Sequence, residues 1–330
     1  MLSNPPRSHD RKALVWGELL IGLAAAVVLS ALLVVASSRS RSMAQLGESV
    51  ANLRTISGAF AMYGPDNQDR VLGFSWRAGT TPSQFPDLKT AVSNLDAAVC
   101  QAADIARRRT GSTTLPRIAG WMPHVQAWNF VVADYLNLPL PSKMFISPGD
   151  DLRTAQAADP ANWAGDTTLY RSALGTSYEV TAAAWGGPDS GSNAVSQDGQ
   201  SFNLFLVPSG AFASTHLLSE VAFPGQKALL FDRYQWYYGP RQGFFMYDEA
   251  RVPVAAFDGS VQVRRGGNCN PGWKPSSPPV PSPTIVRYDA TASTGLPLPL
   301  TNPSGDLVRG RLRFTRGALA GRDFDGPEVP

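Results

Sequence analysis

The sequence predicts an α+β protein: one long N-terminal transmembrane spine helix packed against a mainly antiparallel β-sheet. Three observations carry that expectation. An apolar run covers residues 13–37 and is broken by a single carboxylate, Glu18. Apolar residues then recur at spacings of three and four through Met43, Leu46, Val50, Leu53, Ile56, Phe60 and Tyr63, the period of one helix face. Beyond residue 64 the chain changes to short β-rich segments separated by turns, in a sequence with 30 glycines and 27 prolines, a composition that favours a loop-rich β domain over a helical bundle.

The first element is the anchor. Roughly 20 apolar residues at 1.5 Å per residue cross the ~30 Å hydrocarbon core of a bilayer, so residues 14–37 suffice for one crossing. The leader, residues 1–13, carries Arg7, Arg11 and Lys12 against Asp10, a bias that keeps the N-terminus cytoplasmic and exports the remainder. Arg39 and Arg41 on the far side oppose it only in part. A carboxylate within an apolar span is costly, and Glu18 is expected to pair with a cation on a neighbouring subunit, or to snorkel to the interface. A cleavable secretory signal ending at Ala36 is the competing reading of the same run, but its apolar core would be longer than the usual 7 to 15 or so residues.

Residues 38–64 read as the exported half of the same helix, ended by Gly64-Pro65. A second amphipathic helix is expected over residues 87–109, with Leu88, Val92, Leu95, Val99 and Ile105 on one side, and a shorter one over 125–136. Strands are expected at 177–184, 201–207, 227–231, 243–247, 252–257 and 260–264, with Asp258-Gly259 as a two-residue hairpin turn. Residues 65–270 thus form the globular domain. A proline-rich linker over 271–284 follows, then a C-terminal extension, 285–330, with two edge strands at 285–288 and 307–314 and a disordered end from residue 317.

Several segments carry a family resemblance. Arg11-Lys12-Ala13 precedes Leu14-Val15-Trp16-Gly17-Glu18. Asn52-Leu53-Arg54-Thr55-Ile56 is followed by Ala61-Met62-Tyr63-Gly64-Pro65-Asp66-Asn67-Gln68-Asp69-Arg70. Phe145-Ile146-Ser147-Pro148-Gly149-Asp150 comes next, then Leu218-Ser219-Glu220-Val221 with Pro224-Gly225-Gln226-Lys227-Ala228-Leu229-Leu230-Phe231-Asp232. Val254-Ala255-Ala256-Phe257-Asp258-Gly259-Ser260-Val261 closes the series. In this order the segments resemble type IV pilin-like proteins and type II secretion pseudopilins, of the large planctomycete and verrucomicrobial kind with an N-terminal prepilin-type cleavage/methylation segment.

The resemblance implies cleavage between Ala13 and Leu14 by a prepilin peptidase, with methylation of the new terminus. Glu18 then falls on the family's acidic fifth position. Ala13 stands where the family has Gly, Leu14 where it has Phe, and Ser147 where it has Cys. The implied product is a structural subunit of the inner membrane with a periplasmic head. Its partners are other pilin-like subunits and membrane lipid, and it assembles into a pilus-like or secretion-related filament.

No catalytic constellation is expected. His9 lies in the leader, leaving His124 and His216, too few for a metal or triad assignment. Phosphate loops, paired-histidine motifs and nucleophile elbows are absent from the sequence,. The oxygens of residues 66–69 and 149–151 fit turn and helix-end chemistry better than the twelve-residue calcium loop, so neither metal nor cofactor is assigned. A net charge of +3 is too small to argue for nucleic acid.

Two further features stay open. Cys100 and Cys269 would face an oxidising compartment and form a candidate disulfide. The aromatic cluster Tyr234, Trp236, Tyr237 and Tyr238, with Phe244, Phe245 and Tyr247, reads as hairpin core or as a ligand or subunit contact. The second option supports a rival function: a non-polymerising, membrane-anchored periplasmic module that binds polysaccharide or protein.

Overall fold

The computed structural model of the chain describes residues 9–117, 125–159, 173–185, 196–197, 201–203, 205–206, 216–239, 241–273, 283–291 and 295–329. It divides into two compact units, Met1–Gln45 and Leu46–Pro330. Helix α1 (His9–Asp66) belongs to both and has no break.

In the first unit the described apolar side chains of α1 are exposed, Leu19, Ile21, Leu29 and Val34 each by 60 % or more. In the second unit the helical stripe is the core. Leu53, Ile56 and Phe60 are buried completely or nearly so, with Leu46 and Tyr63 close behind, and each such burial is worth about 1.5–3 kcal/mol. Met43, by contrast, falls in the first unit and is exposed.

The end of α1 comes two residues after the expected stop. Pro65 is accommodated within the last turn, and the Asn67 side chain donates to the Tyr63 carbonyl at 2.9 Å. Gln68 and Asp69 then take left-handed φ values of 60° and 64°, which turn the chain out of the helix. Gly64 serves packing: a Cβ there would lie 2.4 Å from Leu218 Cδ1.

Strands β1 (Gly79–Thr80) and β2 (Thr90–Ala91) pair antiparallel, so the second helix starts later than expected, as α2 (Asn94–Thr110). Capping explains the difference. The Ser93 side chain accepts from the Asp96 amide at 3.1 Å, an N-cap that fixes the start, and the Asp96 carboxylate accepts from the amide of Val92, the residue before the cap, at 2.9 Å. Val92, expected on the buried face, precedes the cap and is 90 % exposed. Val99 and Ile105 are buried as expected. Helices α3 (Asn129–Tyr135) and α4 (Asp151–Ala158) follow.

The main sheet opens with β3 (Tyr178–Val180). A separate short pair, β4 (Ser196–Gln197) and β5 (Phe205–Leu206), intervenes. Strands β6 (Ala228–Asp232), β7 (Arg251–Ala256) and β8 (Val261–Arg265) complete the sheet, in the order β3-β6-β7-β8 with every pairing antiparallel. One face sends Leu230, Ala255 and Val261 into the core around the α1 stripe, with Trp128 and Phe145. The other sends Phe231, Val252 and Val254 into a second core with Phe244, Phe245 and Tyr288.

The β7–β8 connection corrects the expected two-residue turn. The Ala256 amide donates to the Ser260 carbonyl at 2.8 Å and the Gly259 amide to the Ala256 carbonyl at 3.0 Å, leaving a three-residue loop, 257–259. Gly259 takes φ 83°, the left-handed position such loops need. Residues 243–247 are likewise a turn held by the Tyr234–Phe244 bridge and not a strand.

The C-terminal extension departs most from expectation. Strands β9 (Ile285–Tyr288) and β10 (Asp306–Arg309) pair with each other and not with the main sheet edge. The tail expected to be disordered is packed: Leu319 and Phe324 are each 2 % exposed. Buried charge explains this. Arg313 Nη2 donates to Glu179 Oε1 at 2.7 Å with both side chains fully buried, and Lys227 Nζ meets Asp323 Oδ2 at 2.9 Å. Without the tail Lys227 would lose the Asp323 carboxylate and Glu179 would be left with Arg233, and breaking buried pairs in this way is strongly unfavourable. Most of the proline-rich linker, residues 274–282, lies outside the described residues.

Candidate functional site

Two features of α1 set it apart from an ordinary core helix, and each was approached differently by the sequence. The first is its N-terminal part. Ala13 and Leu14 lie within the helical main chain of α1, and Glu18 is exposed on it one turn further. Glu18–Asp66 is long and apolar enough to cross a membrane, judged by length and composition. Twenty helical residues from Glu18 rise ~30 Å, the thickness of the hydrocarbon layer. Arg39 and Arg41, both exposed, follow directly.

The second feature is a sealed polar junction where α1 meets the sheet. Ser49 sits three residues after Leu46 and four before Leu53, on the buried stripe itself. Its hydroxyl donates to Asp232 Oδ2 at 2.9 Å and lies 3.3 Å from the Tyr178 hydroxyl. Ser49, Tyr178 and Asp232 are all fully buried. Alongside, the Ser147 and Tyr237 hydroxyls are 2.5 Å apart, and the Ser177 hydroxyl donates to Asp150 Oδ2 at 2.7 Å.

Burial pushes the Asp232 carboxyl up to about 8, and the nearby Asp150 charge adds to the effect; hydrogen bonding from Ser49 favours the ionised form but does not win. Asp232 Oδ1 has no hydrogen-bond partner among the described residues, and neither does the buried Trp236 Nε1. Burial, reinforced by the Asp232 charge, also holds the Tyr178 phenol well above its ordinary value. Through the Ser49 contacts these groups join the helix to the sheet.

Sequence reasoning passed over Ser49, although a small polar residue inside an apolar stripe was a visible signal. It also did not place Ser147, Asp150 and Asp232 together. They lie in two segments far apart in the sequence, 145–150 and 224–232, and the fold brings both beside α1.

The aromatic cluster resolves toward the core reading. Tyr234 and Tyr237 are buried, and Tyr234 packs against Phe244 at 5.8 Å and Trp236 at 5.3 Å. The Phe244 and Tyr288 rings stack at 4.6 Å. Tyr234 fills the second core and Tyr237 is buried at the junction against Ser147, so neither ring face is presented at the surface as a platform for a ligand or subunit. Trp236 and Tyr238 are half-buried and keep an accessible edge.

The expected disulfide is also corrected. Cys100 and Cys269 are both free and buried. Cys100 packs with Leu88, Ala97 and Ala103, whereas Cys269 belongs to the second core. Two cysteines in separate clusters cannot reach the ~4.4–6.8 Å Cα separation a bridge requires without repacking both. Burial pushes the Cys269 thiol up to about 12, which suppresses the reactive thiolate.

His216 contacts Glu220 at 2.5 Å, and His124 lies outside the described residues. Asp150 caps α4 by accepting from the Arg153 amide at 3.0 Å, and Asp66 accepts from the Tyr135 hydroxyl at 2.6 Å. Among the described residues no group of three or more histidine, cysteine or acidic side chains is arranged to hold a metal ion. Comparison with protein-family models, with curated proteins and with solved structures finds no match to this chain.

Proposed function

We propose that this chain is a pilin-like structural subunit, anchored in the inner membrane by the first part of α1 and assembling with like subunits into a pilus-like or type II secretion filament. The observation that carries the reading is the division of labour along one unbroken helix. Its first part presents a membrane-length apolar surface with a single carboxylate, and its second part is the core of an α+β head.

Cleavage between Ala13 and Leu14 would release an amino terminus four residues from Glu18. When subunits leave lipid and bundle, Glu18 pairs with the amino terminus of a neighbour, so that neither charge is buried alone. The reading assigns the protein no enzymatic activity. A purely monomeric binding module is less favoured, because the aromatic rings it would use lie largely in the second core.

The test is in-membrane cross-linking of the Glu18→Ala protein. Subunit–subunit cross-links should fall at least tenfold, while the head keeps its thermal unfolding transition. Undiminished cross-linking in the variant overturns the assigned role of Glu18. A wild-type protein that yields only monomers overturns the filament reading.

A further inference from the structure

One end of the main sheet carries an arrangement that packing does not require. Arg251, the first residue of β7, lies directly opposite Arg265, the last of β8, and both are exposed. Like charges in directly opposed positions destabilise a sheet. Among the described residues neither guanidinium has a carboxylate partner in an ion pair. Arg251 lies 5.8 Å from the centre of the Tyr238 ring, and Arg265 Nε donates only to the Asp248 carbonyl at 3.1 Å.

The surroundings add positive charge. The exposed Arg241 is joined to Arg251 through Gln235, whose side chain donates to the Arg241 carbonyl at 3.3 Å and accepts from the Arg251 amide at 2.8 Å. Arg311 ion-pairs with Asp248, and Arg309 and Arg265 also act on that carboxylate, keeping it below the usual range after the Arg311 hydrogen bond. Five arginines thus face two acids, Asp248 and Glu249. Val263, on the same face of β8 as Arg265, is 38 % exposed.

The place of this cluster in the fold indicates its partner. Asp232 ends β6 at this same end of the sheet, three residues before Gln235, and Asp232 is the residue that Ser49 of α1 contacts. Chain continuity from Ser49 leads back through Arg41 and Arg39 to the apolar run, with only eleven residues between Ser37 and Ser49. Within the second unit, the basic end of the sheet is the end against which the first turn of its part of α1 packs, through Ser49. We infer that the Arg251–Arg265 corner, edged by Arg241 and the half-buried Tyr238, is a docking surface for anionic phospholipid headgroups. The inference rests on the anchored reading above. Arginine near an anionic surface is attracted to it, and an amphipathic ring suits the headgroup layer.

The test uses the full chain in lipid nanodiscs of phosphatidylcholine alone and of phosphatidylcholine mixed with phosphatidylglycerol, read by amide hydrogen exchange. Residues 241–251 and 261–267 should exchange about tenfold more slowly in the mixed discs, on the scale expected of two arginines at an anionic surface. Residues 94–110 of α2 should not change. The Arg251→Gln/Arg265→Gln protein should lose the difference while unfolding at the same temperature or higher.

Equal exchange in both kinds of disc overturns the inference, as does protection that survives in the double variant. Equal protection from inorganic phosphate in phosphatidylcholine discs also overturns it, pointing to a small-anion site. A chain that inserts without protection refutes this surface alone. One that fails to enter the discs refutes the anchored reading as well.

Discussion

Replacing Asp232 by Asn preserves the shape of the junction beneath the spine and removes its titration. The wild-type carboxyl is fully buried, and burial raises it from 3.8 to about 8. Between those values the folded protein keeps a proton that the unfolded chain has released. The native state therefore binds more protons, and stability falls as pH rises through this window. The contribution is fully favourable below the unfolded value and lost by the time pH passes the folded one. Each pH unit within the window is worth at most ~1.4 kcal/mol, so the whole window can amount to about 6 kcal/mol.

All other titrating groups are common to the two proteins, so the difference in unfolding free energy between Asp232→Asn and wild type isolates this group. Denaturant unfolding of the detergent-solubilised chain from about pH 5 to 8 should show the variant gaining on wild type at about 1 kcal/mol per pH unit. Parallel profiles would refute the reasoning. They would mean that the carboxyl is solvated or already ionised when folded.

Other consequences follow from the packing. Arg313→Met should cost about 3–5 kcal/mol, because it leaves Glu179 buried beside Arg233 alone,; the Arg313→Met/Glu179→Met pair should cost clearly less, and equal losses in thermal or denaturant unfolding would contradict a coupled pair. Leu53→Ala should cost about 2–5 kcal/mol by opening a cavity under the spine, and a change below 1 kcal/mol would show that the helix is not packed there. Cys100 and Cys269 should both resist alkylation in the folded protein and both react after denaturation without reductant. A mass lower by two hydrogens, with no reaction on unfolding, would show a bond between them.

What the sequence revealed follows from how local each signal is. The membrane-length run and the stripe from Leu46 to Tyr63 depend on one helical period, and both lie on α1. Strands β6, β7 and β8 lie within a residue or so of expectation, since the apolar residues of β6 and β7 face cores on both sides of the sheet and a short loop at Gly259 carries β8 back along β7. The start of α2 was legible too, in Ser93 and Asp96, but the apolar spacing of Leu88 and Val92 outweighed the cap.

Pairings across long separations were not legible. Arg313 falls in a segment expected as an edge strand, and Asp323 in the glycine-containing, polar end expected to be disordered. Only the fold shows that Glu179 and Lys227, some 134 and 96 residues away, need them. Ser49 and Asp232 are separated by 183 residues, so their contact has no local signature. The aromatic residues from Tyr234 to Tyr247 left two readings open because a hydrophobic ring looks alike in a core and on a face. Tyr288, supplied by the C-terminal extension, decides that question by stacking on Phe244.

The central claim, that one helix serves as both membrane anchor and keel of the head, is tested most directly by identifying the first residue of the mature protein in its membrane fraction. The account predicts Leu14, methylated and followed by an intact helix. A mature chain that begins at Ser37 and is released from the membrane would contradict it.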